Sequence, residues 1–232
     1  MKLSNKILIG FFSTILLYTF MVMLEVRLYG KQTLWDGNQV ASDVITESQP
    51  LNNPAFLDVT GGKGFIRVAQ SDQPRVEMQS YTGNLLEQIT FEEDEDTLRI
   101  NTTDFDPDVR YRLSIYVNQK DTLKINADKA ILSISELIIK QLEINQMGGR
   151  INVTDSSQVA NLMLTAADTA RFEADASIVE RVQINSSNSR VLILTSPKEL
   201  IGSLTNESLL LTENPLKVQV ERDTTSIIRV IE

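Results

Sequence analysis

Three aspartates at alternate positions in the stretch DFDPD, Asp104, Asp106 and Asp108, have the spacing that best suits a metal ion. Alternate carboxylates in a loop can converge on Ca²⁺, which prefers oxygen ligands. An EF-hand loop beginning at Asp104 would require glycine at position 109 and glutamate at position 115, where Val109 and Ile115 stand instead. Pro107 favours a solvated loop between strands instead, and a cation site at the three aspartates is the alternative.

Paired carboxylates could also hydrolyse a glycosidic bond, which requires two of them about 5 to 9.5 Å apart. Glu143 with Asp168 or Glu173 could meet that distance if successive chain repeats stack. Histidine and cysteine are both absent. This excludes imidazole bases, thiolate nucleophiles, disulfides and the usual ligands of zinc, haem and copper. We expect a protein that is not an enzyme and that carries no cofactor.

Two further stretches carry polar groups that could bind a ligand. FEEDEDT contains five consecutive acidic residues, 92 to 96, and such runs are usually exposed turns. VRYRLSIYV, residues 109 to 117, interleaves arginine with tyrosine and could stack on sugar rings. The alternative for the second stretch is one ordinary face of a strand, since its polar residues follow a period of two.

The net charge narrows the class of partner. The chain has 31 acidic and 22 basic residues, a formal net charge of −9. Such a chain is repelled by phosphate backbones, so we expect no nucleic acid among its partners.

The first 30 residues predict a membrane anchor. Eighteen uncharged residues, Ile7 to Leu24, would span roughly 27 Å as a helix, enough for the core of a bilayer. No small-residue cleavage site follows, and Lys2 and Lys6 favour a cytoplasmic amino terminus. We expect residues 1–30 to form a cytoplasmic tip and signal anchor in the inner membrane, with the bulk of the chain periplasmic. A buried helix of a soluble protein is the alternative.

Residues 31–55 are polar, contain two prolines and show no sustained period, which is typical of a stalk or linker. From residue 56 to residue 232 the pattern changes to short alternating strands such as FIRV, RVEMQSY, TLRINTT and YRLSIYV. The sequence therefore predicts an anchor, a linker and one all-β domain.

A repeat of about 20 residues organises the second half of this domain. LKIN at 123, LEIN at 142, LMLT at 162 and VQIN at 182 each carry two apolar residues at alternate positions, and a looser copy, SLTNESLLLTE, spans 203 to 213. A second strand recurs in each unit with apolar residues at Leu132, Ile151, Phe172 and Val191. Two strands per repeat predict a solenoid in which equivalent residues stack about 4.8 Å apart.

A polar column accompanies the apolar ones. The residue after the second apolar position is Asn126, Asn145, Thr165 and Asn185, with Thr205 in the looser copy. Stacked amides can hydrogen-bond along such a column, as they do in cross-β stacks. We interpret the column as structural, with a ligand site as the alternative.

The order of FLDVTGGKGFIRVAQSDQPRVEMQS, TLRINTT and LSIYVNQKDTLKINA, followed by the 20-residue units, resembles the head GIN domain family of auto-transporter adhesins in Bacteroidetes envelopes. The resemblance covers about residues 56 to 220. In that family each unit carries a glycine-rich turn, whereas here only Gly148 and Gly149 keep glycine. The resemblance implies a right-handed parallel β-helix on the cell envelope and transfers no catalytic residue.

These observations together predict an exported, membrane-anchored, non-catalytic binding or scaffold module of the cell envelope, with an unknown envelope protein or glycan as its partner. An accessory subunit of an inner-membrane complex, associating through its anchor helix, is the alternative. A polysaccharide-active β-helix enzyme is a third possibility.

Overall fold

The computed structural model describes residues 44–61, 64–81, 83–105, 111–154, 156–175 and 177–231. Within these ranges every regular element is a β-strand except a short 3₁₀ turn at Leu86–Gln88. The strands form a ten-stranded sheet, called sheet A here, and a nine-stranded sheet, called sheet B. The predicted all-β class is confirmed.

The repeated part of the chain winds alternately through the two sheets. Its strands in sheet B are β8 (Thr122–Asp128), β10 (Ile138–Met147), β12 (Gln158–Ala167), β14 (Ser177–Ser187), β16 (Glu199–Thr205) and β18 (Lys217–Arg222). Its strands in sheet A are β9 (Ile131–Ser135), β11 (Arg150–Val153), β13 (Arg171–Ala174), β15 (Arg190–Ile193), β17 (Leu209–Glu213) and β19 (Ile227–Ile231). Neighbouring strands in each series pair in parallel, so the chain forms the predicted β-solenoid.

The amino-terminal strands close one end of the solenoid. They are β1 (Ile45–Pro50), β2 (Phe56–Thr60), β3 (Phe65–Gln70), β4 (Arg75–Ser80), β5 (Thr90–Asp94), β6 (Thr97–Asn101) and β7 (Tyr111–Val117). The coil made by β2 and β3 lies between the coil of β6 and β7 and the coil of β8 and β9, so the order in space differs from the order in sequence. At the outer end β7, β4 and β1 pair antiparallel in sheet A, and β6 and β5 do so in sheet B.

Aligned apolar columns form the core between the sheets. Leu123, Leu142, Leu162 and Val182 are direct partners on successive strands, and each is at most 1% exposed. In sheet A the column of Leu132, Ile151, Phe172 and Val191 is likewise in register and fully buried. Alternation with a period of two sends these side chains inward and their neighbours outward. The predicted stacking is confirmed.

The turns that lead from sheet B to sheet A explain why most repeats lack glycine. The first turn residue has a positive φ in the five successive coils from β8 to β17: Lys129 (53°), Gly148 (66°), Asp168 (56°), Asn188 (48°) and Asn206 (54°). Asparagine and aspartate tolerate this left-handed conformation better than other residues with a side chain. The turn is therefore preserved although the glycines are replaced.

The register predicted for the loose fifth repeat is wrong by two residues. Ser203, and not Thr205, continues the polar column after Asn185, while Thr205 pairs with Ser187. Asn185 and Ser203 are only 18 residues apart. The shift arises because the inward positions of β16 are Leu200 and Gly202, paired with Val182 and Ile184, and a glycine carries no apolar signal.

The segment Ile7 to Leu24, predicted to be the transmembrane anchor, lies outside the described residues. In the part of the chain that the structure describes, no helix is long and apolar enough to cross a membrane. Within the stretch expected to be a linker, residues 45–50 form the strand β1, which pairs with β4.

Candidate functional site

Three arginines occupy the same position on three successive strands of sheet A. Arg150 pairs with Arg171, and Arg171 pairs with Arg190. Each is the first residue of its strand, directly after the turn from sheet B, and each is exposed on the outer face. Parallel strands lie about 4.8 Å apart, so the backbones from which the guanidinium groups project follow one another at that interval. We call these three residues the arginine column.

One carboxylate neutralises part of this column. Glu173 Oε2 lies 3.2 Å from Arg150 Nη2 and 3.9 Å from Arg171 Nη2. Arg150 also donates from Nε to Asn152 Oδ1 at 3.1 Å. Arg190 has no hydrogen bond or ion pair from its side chain to any residue that the structure describes. Among the described residues, the three guanidinium groups thus share one carboxylate, that of Glu173, on a chain whose net charge is −9.

Aliphatic side chains continue this face towards the carboxyl-terminal end of the solenoid. Leu209 and Ile227 follow Arg190 in the same column, and Leu192 and Leu211 follow Glu173 in the next one. Leu192, Leu209 and Leu211 are half-buried and Ile227 is exposed. The outer face of sheet A therefore combines a row of cations with an apolar area. Such a face suits an extended anionic ligand, since guanidinium groups bind carboxylates and phosphates in bidentate geometry.

The sequence itself contains a signal for the arginine column. The stretches GGRINV, TARFEA and NSRVLI each place arginine immediately before the first buried residue of the second strand. Alignment by the apolar residues Ile151, Phe172 and Val191 would have superposed the three arginines. Only the parallel register of β11, β13 and β15 shows that the three arginines are neighbours on one surface.

The three candidate metal-ligating aspartates do not form a described site. Asp104 is exposed in the turn that follows β6, and Asp106 and Asp108 lie outside the described residues. In the ranges that the structure describes, no group of three or more acidic side chains could hold a metal ion.

The carboxylate pairs suggested for glycoside hydrolysis are separated. Glu143 points outward from sheet B, where it contacts Lys124 at 3.1 Å, whereas Glu173 lies on the outer face of sheet A. Asp168 follows β12 five residues after Met163, the direct partner of Glu143. Five strand residues span about 16 Å, which exceeds the distance that the reaction allows. The structure brings neither pair together.

The other polar stretches are explained by local structure. The acidic run 92–96 forms β5 and the exposed turn to β6, with Arg99 Nη1 at 3.8 Å from Asp94 Oδ2. On β4 and β7, the guanidinium of Arg75 lies 4.0 Å from the centre of the Tyr116 ring, a cation–π contact within the chain. That tyrosine is thus engaged inside the fold.

The polar column lies on the outer face of sheet B, as its alternation predicts. Asn145, Thr165 and Asn185 are exposed in consecutive strands. Ser203 Oγ donates to Asn185 Oδ1 at 3.2 Å, which gives the column a structural link between two coils.

An open cleft of 430 Å³ lies where β10 and β12 begin. Its lining includes the apolar residues Ile138, Ile139 and Val159, and none of the described residues that line it is acidic. Lys140 at its rim is held by Asp121, with Nζ at 2.7 Å from Oδ1. This contact lowers the pKa of Asp121 and raises that of Lys140, and both groups stay charged at neutral pH.

Comparison with known proteins identifies the fold. No protein-family model matches this sequence, and no curated protein matches it. A solved structure described as a "putative adhesin" from Bacteroides fragilis has a TM-score of 0.54 at 13% identity, over 82% of this chain and 98% of that chain. A second "putative adhesin", from Parabacteroides distasonis, has a TM-score of 0.53 at 13% identity, over 81% and 93% of the two chains.

Both of these structures, from Bacteroidetes, share the fold of this chain, in agreement with the fold that the resemblance implied. The head GIN domain itself is not confirmed, because no family model matches. At this level of identity the comparison establishes the architecture that the chains share.

Proposed function

We propose that this chain is an exported, membrane-anchored, non-catalytic binding module of the cell envelope, adhesin-like in character. The observation that carries the proposal is the arginine column on the outer face of sheet A, where Arg150, Arg171 and Arg190 stand in register on an exposed and uninterrupted sheet. The anchor is Ile7 to Leu24, and the solenoid is a right-handed coil, in line with the preference of parallel crossovers.

The ligand is an acidic glycan. A polymer with regularly spaced carboxylates can place successive anions on successive guanidinium groups, because the column repeats at the strand spacing of about 4.8 Å. The half-buried leucines beside the column offer apolar contact to the faces of sugar rings. A flat sheet suits an extended chain better than a compact small molecule, which requires a concave pocket.

Binding to immobilised polysaccharides tests this proposal. The full-length chain, held in a mild detergent, is expected to bind polygalacturonate and alginate, to ignore neutral dextran, and to lose affinity as salt is added. Replacing Arg150, Arg171 and Arg190 together by alanine is expected to weaken binding by at least about tenfold, since each charged hydrogen bond contributes roughly 1.5–3 kcal/mol. Triple replacement by lysine should restore only part of the affinity, because lysine cannot bind in bidentate geometry.

The matched control removes three cations from the outer face of sheet B: Lys124, Arg99 and Arg181. It changes the net charge equally and should leave binding nearly unchanged. If both triple variants lost affinity equally, the effect would be one of net charge, and the column would be rejected as the binding site. Binding to neutral and acidic glycans alike would reject the ligand class.

The second candidate, an accessory subunit of an inner-membrane complex, rests on the apolar segment Ile7 to Leu24. It predicts that partner proteins co-purify from the native membrane in a manner that depends on this segment and not on the arginine column. Replacing the segment by an unrelated transmembrane helix separates the two functions, since glycan binding should survive the exchange.

A further inference from the structure

The two ends of the solenoid are built differently. At one end, antiparallel strands extend both sheets beyond the coils, and the outermost strands carry Pro50 on β1 and three acidic residues on β5. Prolines and charges protect an exposed sheet edge from pairing with another chain. At the other end, β18 and β19 are the edge strands of sheets B and A, and no further strand covers either of them in the described ranges.

This second end is also apolar. Val218 and Val220 continue the inward column of Leu200 and Gly202, and Ile228 and Val230 continue that of Leu210 and Thr212. No described coil lies above them, and Val218 is 43% and Val230 is 51% exposed, whereas Leu200 and Thr212 beneath them are fully buried. On the outer face of β19, Ile227 and Ile231 are 47% and 42% exposed. The end of the core is therefore open at two adjacent sheet edges.

The sequence of β18 is complementary to itself in reverse. Residues 217 to 221 read KVQVE, so that a two-fold axis at Gln219 sets Lys217 opposite Glu221 and Val218 opposite Val220 of a second copy. Residues directly opposite in an antiparallel pair point to the same face, with Cβ atoms about 4.5–5.5 Å apart. The valines would then meet on the inner face and the opposite charges on the outer face.

The sequence of β19 has the same symmetry. Residues 227 to 231 read IIRVI, so that an axis at Arg229 pairs Ile227 with Ile231 and Ile228 with Val230. Gln219 and Arg229 both lie near the middle of their strands. A single two-fold axis normal to both sheets can therefore relate β18 to its counterpart in the second copy and β19 to its counterpart at the same time. The only like-charged pair that it creates is Arg229 with its own counterpart.

We propose that two copies of this chain associate end to end through β18 and β19, each strand pairing antiparallel with its counterpart in the second copy. The pairing satisfies the free backbone groups of both edges and covers the open end of the core. It makes sheet A and sheet B continuous across the two copies. An isologous contact of this kind uses both edges completely and closes as a dimer.

Disulfide trapping tests the position of the axis. The chain has no cysteine, so a single Gln219→Cys introduces the only thiol. At the axis the two Cα atoms of residue 219 lie about 4.5–5.5 Å apart, within the range of a disulfide. We expect the full-length Gln219→Cys protein, in mild detergent, to form a covalent dimer rapidly under mild oxidation. Gln183→Cys, at the equivalent position of β14, is the matched control and should stay monomeric.

Charge changes test the pairing without altering the core. Glu221→Lys would set lysine opposite Lys217 of the second copy, and we expect sedimentation equilibrium to show at least about tenfold weaker dimerisation, since directly opposed like charges are destabilising. Glu87→Lys, at an exposed position of the 3₁₀ turn among the amino-terminal strands, makes the same change in charge far from the edge and should have little effect. Arg229→Gln removes the like-charged pair and should tighten the dimer.

A wild-type chain that is monomeric, while its circular dichroism spectrum shows that the β structure is folded, would overturn the proposal. So would equal cross-linking of the Gln219→Cys and Gln183→Cys proteins. A dimer whose affinity responds to Glu87→Lys but not to Glu221→Lys would place the contact elsewhere on the molecule.

Discussion

Gly202 on β16 lies directly against Ile184 on β14, so close that a Cβ atom added to the glycine would be 1.7 Å from the Ile184 carbonyl oxygen. The φ of Gly202 is also 137°, a conformation that residues with a side chain rarely adopt. The absence of a side chain at position 202 therefore allows β16 to approach β14 this closely.

Gly202→Ala should therefore destabilise the domain by more than about 3 kcal/mol, because the backbone of one coil must move away from the next. Urea unfolding followed by circular dichroism measures the change. Ser203→Ala, one residue further on the outer face, is the control and should cost less than about 1 kcal/mol. A Gly202→Ala protein as stable as the wild type would show that the coils can separate there without cost.

Thr169→Gly should stabilise the domain by about 1 kcal/mol. Thr169 has a φ of 66° in the turn between β12 and β13, and a β-branched residue is strained in that region. Glycine relieves this strain, although it also increases the entropy of the unfolded chain. The midpoint of urea unfolding should rise. Thr165→Gly, in the extended part of β12, is expected to lower it, and a decrease in both variants would contradict the strain at Thr169.

Glu173→Gln should strengthen the binding of acidic glycans several-fold. The substitution removes the single carboxylate that contacts Arg150 and Arg171, so that both guanidinium groups become free for the ligand. Glu143→Gln is a closely matched control, since Glu143 is 28% exposed and pairs with Lys124 on sheet B, whereas Glu173 is 26% exposed on sheet A. The measurement is the affinity of each variant for polygalacturonate at constant ionic strength. An equal gain in both variants would indicate a general effect of net charge.

Asp223→Asn should lower stability at neutral pH, with an effect that disappears in acid. Hydrogen bonds from Ser226, from the Asn206 N–H and from Thr225 hold the pKa of Asp223 well below its ordinary value of 3.8. Because the folded chain favours the carboxylate, this stabilisation is complete above pH 3.8 and is lost as the pH falls below it towards the pKa of the folded state.

The measurement is the difference in unfolding free energy between wild type and Asp223→Asn as a function of pH. The two proteins should differ at neutral pH and converge below pH 3.8. Asp72→Asn, in the exposed turn between β3 and β4, controls for the loss of one charge. A difference that grows on acidification would contradict the sign of the pKa shift.

The solenoid could be predicted from the sequence because its information is local and repeated. Leu123, Leu142, Leu162 and Val182 recur at nearly constant spacing, and the period of two decides which side chains face inward. The sequence also shows directly that histidine and cysteine are absent, that the net charge is negative, and that residues 7–24 are apolar. Where the local signal fails, as at Gly202, the predicted register fails with it.

Other features depend on contacts between residues far apart in the sequence, and only the tertiary structure decided them. The coil of β2 and β3 is inserted between β6–β7 and β8–β9, an order that no local pattern encodes. Arg150, Arg171 and Arg190 form one surface through parallel pairing, while Glu143 and Glu173 lie on different sheets. The physical reason is that strand alternation determines the facing of each side chain, whereas pairing between strands determines its neighbours.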